Sequence, residues 1–140
     1  MADLTITAAS VLADSAAQVS VGTAGVALVA GNTCYLSTDG TWYLGLSSGN
    51  TTQAGAGGVG IALDNAAVGQ PIALFRGGKI NLGATLTIGQ TYVVSAHGGM
   101  IAPISDLAST NWVSILGVAM DAANMQTPSY GPFVPGVQRA

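Results

Sequence analysis

Charge is what this sequence has least of. Its 140 residues carry three basic side chains, Arg76, Lys79 and Arg139, and no glutamate; the six acids are Asp3, Asp14, Asp39, Asp64, Asp106 and Asp121. Lys and Glu are the usual occupants of exposed helix faces. Their scarcity, beside 20 glycines and abundant Thr, Ser and Val, points to strands and turns. So few basic groups also exclude the clustered Lys and Arg that hold nucleic acid or an anionic membrane, and neither is expected as a partner. Cysteine is represented once, by Cys34. No intrachain disulfide can form, and the residue reads as a small buried hydrophobe. Histidine is represented once, by His97, so a His/Cys zinc set does not form and His97 is the sole candidate base for a cysteine nucleophile. Long apolar runs are missing too. Residues 15–38 carry no charge, but Gln18, Ser20, Gly22, Thr23, Gly31 and Asn32 among others interrupt them, which is too polar for a lipid-facing helix. The opening "MADLTITAAS" has neither a basic stretch nor a continuous apolar one, so it does not read as a signal peptide. The chain reads as soluble and made in the cytoplasm.

What remains is short apolar runs between turn signals. Candidate strands are 4–8, 17–21, 33–38, 41–46, 58–64, 71–76, 79–83, 91–96, 99–104 and 112–121, each of ordinary strand length. Asp39-Gly40, Gly77-Gly78 and Gly98-Gly99 are hairpin dipeptides. By this reading Arg76 and Lys79 flank a solvated hairpin tip. No segment sustains a helical period.

The sequence also repeats itself. "GVALVAGNTCYLSTDG" (25–40) answers "GATLTIGQTYVVSAHG" (83–98), and "GIALDNA" (60–66) answers "GVAMDAA" (117–123). One unit used twice cannot bury its apolar face alone, whereas two can pack together. The expectation is an all-β fold: a compact, jelly-roll-like β-sandwich or barrel built from two similar hairpin-containing halves, with extended terminal arms. Residues 1–126 form one β-domain, with the repeat at 25–66 and 83–123. Residues 127–140, with Pro128, Pro132 and Pro135, form a C-terminal arm, because proline at that density cannot feed a central strand. Leu4 and Ile6 alternate with threonines as an edge-adding strand would. With Tyr130, Phe133 and Val137 of the tail they are the candidate interface residues.

Chemistry is harder to find. Gly55, Gly57 and Gly60 match G-x-G-x-x-G. A dinucleotide site needs a buried strand before the first glycine, a helix after the third, and an acid about 20 residues on. Here a polar loop precedes, a short strand and turn follow, and "GGKINLGA" holds no acid. The glycines therefore read as a flexible loop entering a strand. Asp64 and Asp121 hold matching places in the repeat; as a pair they would suit glycoside hydrolysis or calcium, and as single residues they read as turn formers, like Asp39 before Gly40. Trp42 and Trp112 read as core or interface anchors, with a sugar platform as the alternative. No catalytic residue, cofactor or metal is expected, and the chain does not read as an enzyme.

"AGNTCYLSTDGTWYL", "GVGIALDNAAVGQPIAL", "GATLTIGQTYVVSAHGGMIAP" and "ILGVAMD" together resemble the small capsid decoration, or cement, proteins of tailed bacteriophages. The similarity spans roughly residues 20–123 and lies in hairpins and strands, not in a catalytic motif. It implies a protein on the outside of an icosahedral shell, reinforcing it by bridging major capsid subunits. It also implies a homo-oligomer, with a trimer slightly favoured and a dimer the alternative. The rival expectation is a glycan- or host-binding module on a virion.

Overall fold

The computed structural model describes residues 4, 6, 11–14, 17–46, 58–82, 86–106, 111–126 and 134–138, the last run and residues 113–114 by backbone alone. The strands among them are β1 (Leu12–Ala13), β2 (Gln18–Thr23), β3 (Thr33–Leu36), β4 (Trp42–Leu44), β5 (Val59–Ala62) and β6 (Pro71–Gly77). They continue with β7 (Lys79–Asn81), β8 (Thr91–Val94), β9 (Ile101–Pro103), β10 (Trp112–Ala119), β11 (Asn124–Gln126) and β12 (Val134–Gln138). No α-helix occurs among the described residues. The β3–β4 hairpin turns at Gly40, with φ of 85°. The Asp39 carboxylate holds that turn by accepting from Thr41 N–H at 2.9 Å and Thr41 Oγ1 at 2.7 Å. The β8–β9 hairpin turns at Gly99, with φ of 75°. Both turns need the left-handed region that glycine enters without steric cost.

Two antiparallel sheets result. One is ordered β2-β6-β5-β3-β4, the other β1-β7-β11-β10-β8-β9 with β12 also on β10. In these orders β2 to β6 correspond one by one to β7, β11, β10, β8 and β9 read in the same spatial sequence. The first strand of each half lies beside its last, and the hairpin lies at the far edge. Backbone bonds repeat with the pattern. Gly31 N–H donates to Ala62 O at 2.8 Å and Ala62 N–H to Asn32 O at 2.9 Å; Gly89 N–H donates to Ala119 O at 2.9 Å and Ala119 N–H to Gln90 O at 3.0 Å. The repeat seen in the sequence is thus a repeat of topology.

The halves share one core. Val59, Ile61 and Phe75 of the five-stranded sheet are buried with Ile80, Tyr92, Ile101, Leu116 and Met125 of the other. A second cluster, with Leu28, Trp42, Ile72 and Leu74, fills the opposite face of the five-stranded sheet. β6 therefore buries both faces, Leu74 on one side and Phe75 on the other. Two backbone bonds tie the hairpins of the two halves: Thr33 N–H to Gly99 O at 3.0 Å and Gly99 N–H to Gly45 O at 2.9 Å. The five-stranded sheet curls until Ala24 meets Trp42 in a single parallel bridge, but the sheets do not close. The fold is the sandwich of the two expected forms, not the barrel.

Two sequence expectations are corrected. Gly77-Gly78 is no hairpin tip: β6 pairs with β2 and β5, and β7 with β1 and β11. The glycines are the corner where the chain crosses from one sheet to the other. Gly78 has φ of 110°, and a Cβ on it would lie 2.9 Å from Ala17 Cα, so only glycine fits the crossing. The second concerns the proline-rich tail, whose last described stretch is a strand. Ile115 pairs with both β8 and β12, and Val118 with both β8 and β11. β8 thus holds one side of β10, while β11 and β12 share the other, end to end. Pro135 falls where the β10–β12 register shifts between Val113 and Ile115, a place where its missing N–H breaks no ladder bond.

Candidate functional site

The chemically reactive side chains are dispersed or occupied in holding turns. Cys34 lies in β3, 1% exposed, and burial pushes its thiol pKa up to about 12. It is protonated and shielded at any physiological pH, while His97 is exposed in the β8–β9 turn. Labelling follows from this. A thiol reagent at neutral pH should leave Cys34 unmodified in the folded chain and modify it fully in concentrated urea. Rapid labelling without denaturant would contradict the burial.

Gly60 stands in β5 opposite Cys34, with no helix after it; Gly55 and Gly57 lie outside the described residues. Asp121 accepts from Ala123 N–H and Asn124 N–H, both at 2.8 Å, and from Asn124 Nδ2. Those donors, the Ala123 amide first, hold its carboxyl below the usual range. The Thr41 hydroxyl, the Thr41 amide and the Tyr43 hydroxyl do the same for Asp39, whose Oδ2 accepts from Tyr43 OH at 2.8 Å. Asp64 accepts one bond, from Ala73 N–H at 3.3 Å. All three carboxylates work in turns, and among the described residues no three His, Cys, Asp or Glu side chains group to hold a metal.

Trp42 is buried, and the Arg76 guanidinium lies over its ring at 5.1 Å from the centroid. One face is thereby taken by a cation–π contact, which removes Trp42 as a sugar platform. Arg76 is not at a solvated tip: it is half-buried, and its Nε has no hydrogen-bond partner. The two residues are 34 positions apart in sequence, and nothing in the spacing pairs them. Trp112 is half-buried at the start of β10, opposite Gln138. A cleft of about 190 Å³ beside β1 is lined by Leu12, Asp14, Lys79, Asn81 and Asn124. It is smaller than the pockets that enclose small organic ligands.

The surface offers more than the pockets. Leu12, Val19, Val21, Val68, Ile88 and Val118 are exposed, on a chain with few charged groups. β2, with the sequence QVSVGT, is an edge strand with neither charge nor proline. Edges of that kind are ordinarily guarded by lysine, proline or a bulge; here the register shift of the β2–β6 ladder falls at the start of the strand, between Gln18 and Val19, and the ladder is regular from Val19 to Thr23. Of the expected interface residues, Leu4 and Ile6 are half-buried against the shared core, and Leu4 N–H donates to Ile101 O of β9 at 2.8 Å. Leu4 is thereby tied to the outer strand of the larger sheet. Val137 pairs by its backbone with Val113, while Tyr130 and Phe133 lie outside the described residues. Among the described residues, Leu4 lies beside β9 and the Val137 backbone beside β10. The β2 edge is what sequence reasoning missed, and the signal was present: a six-residue strand without charge or proline.

The geometry defines an all-β, internally duplicated sandwich whose accessible features are strand edges and apolar side chains. No known family model matches this chain, and a search of curated proteins finds no match either.

Proposed function

We propose that this chain is a structural virion protein, a decoration protein that binds the outer surface of an icosahedral phage capsid and cements neighbouring major capsid subunits. The observation that carries the reading is the surface: apolar side chains stand exposed on strands and turns of both halves, among very few charges. Such a surface works by being covered. The sequence resemblance to cement proteins supplies the kind of surface that covers it. Its location would be the capsid exterior after synthesis in the host cytoplasm, its partners the major capsid protein and copies of itself. Many copies on one lattice gain avidity without a tight single contact.

The test compares shells with and without the chain. Purified virions should carry it in high copy. Shells stripped of it, or assembled without it, should break at a lower temperature, and adding the purified chain back should restore the difference. Equal breaking temperatures in all three preparations would rule out a cementing role.

A further inference from the structure

The duplication provides a comparison within one molecule. β7 has β11 on one side and β1 on the other, with Leu12 opposite Asn81 and Ala13 opposite Ile80. β2 is its counterpart in the first half. It has β6 on one side. On the other, among the described residues, it meets only the Ala24–Trp42 bridge just past its end. The same place in the same fold is closed by a short antiparallel strand in one half and, among the described residues, open in the other.

Hydrogen bonds of the neighbouring strand show which groups of β2 face the open side. Ala73 stands opposite Val21. Its carbonyl accepts from Leu63 N–H at 2.9 Å, and its own N–H donates to Asp64 Oδ1 at 3.3 Å. Both backbone groups of Ala73 are therefore used on the β5 side. Residues opposite each other in an antiparallel ladder exchange both bonds or neither. The N–H and C=O of Val21 consequently point outward, and by the two-residue period so do those of Val19. Their side chains are 74% and 51% exposed.

We propose that the β2 edge is occupied by the β2 edge of a second copy of this chain, antiparallel about a two-fold axis through Ser20. In that register Val19 of each copy faces Val21 of the other, and the two pairs supply about four N–H···O=C bonds. The pairing is self-complementary for a chemical reason. The outward groups alternate donor and acceptor, the side chains are valines, and no charge meets its own image across the axis. The two five-stranded sheets run on as one, and Val19 and Val21 of both copies form a single apolar row. This deepens the oligomeric part of the proposed function by fixing a two-fold contact. It is read on the purified chain with no shell present, so the two readings fail separately.

The experiment is sedimentation of the full chain over a wide concentration range, beside Val21→Lys and Val21→Pro. Lysine places like charges across the axis, and proline deletes an outward N–H without touching the β2–β6 ladder. The unsubstituted chain should be a dimer, and both variants should weaken dimerisation on the order of a hundredfold, with unchanged circular dichroism. A Ser20→Cys variant adds a positive readout, because Ser20 lies on the axis in a non-bonded pair whose Cα separation suits a disulfide. Mild oxidation should link it into covalent dimers, while buried Cys34 stays silent. A monomer at every concentration, a trimer, a dimer indifferent to Val21→Lys, or a dimeric Ser20→Cys that does not cross-link would each overturn the proposal.

Discussion

A Phe75→Ala substitution should lower the free energy of unfolding by about 3–5 kcal/mol, a large share of the roughly 5–15 kcal/mol that holds a domain together. Phe75 is fully buried in β6 opposite Ile61, yet the cluster it belongs to is made mostly of side chains from the other sheet. Its ring is a joint between the halves. Removing it leaves a cavity that neither sheet can close without shifting against the other. Equilibrium urea unfolding followed by circular dichroism measures the effect. A cost below about 1 kcal/mol would mean that the sheets do not depend on a common core.

Gly117→Ala should be the more damaging of two substitutions that look alike in the sequence. Gly60 and Gly117 open the matching segments "GIALD" and "GVAMD". A Cβ on Gly117 would lie 2.5 Å from Gln126 O and 2.8 Å from Met125 Cγ. The first contact is backbone, so β11 must move off β10. A Cβ on Gly60 would lie 3.2 Å from Leu74 Cβ and 3.3 Å from Arg76 Cδ, side-chain atoms that can yield by tenths of an ångström. The expected costs are about 3 kcal/mol for Gly117→Ala and under about 1 kcal/mol for Gly60→Ala. Thermal melts of the two variants decide the order, and equal or reversed losses would contradict the geometry.

Local chemistry made much of this fold legible. Asp39-Gly40 and Gly98-Gly99 gave two hairpins, the short apolar runs gave strands β2 to β10, and the sequence repeat anticipated the repeated topology. What local chemistry does not carry is the partner of each strand. Gly77-Gly78 has the residues of a hairpin tip, but a dipeptide does not say which sheet the next strand will join. β11 has only Asn124, Met125 and Gln126; no alternation is visible in three residues, and pairing with β7 and β10 makes them a strand. β12 was hidden by its proline, because only the register shift against β10 makes room for Pro135. The same limit applies to the candidate site. Cys34 and the turn-holding aspartates were readable from residue type and neighbours. The Arg76–Trp42 contact depends on β6 and β4 being brought together by the strands between them.

The pairing of the first strand of each half with its last sets a timetable. β2 emerges during synthesis with Val19 and Val21 and no partner of its own until β6 has been made, a wait that spans residues 24–70. At roughly 5–20 residues per second, that strand stays bare on both edges for several seconds. In the second half β7 waits likewise for β11, but β1 is already made and can cover its other edge. A strand with no charge to repel a neighbour is most exposed to mispairing in that interval. Soluble yield should therefore depend more on how crowded the nascent chains are than on how stable the finished sandwich is.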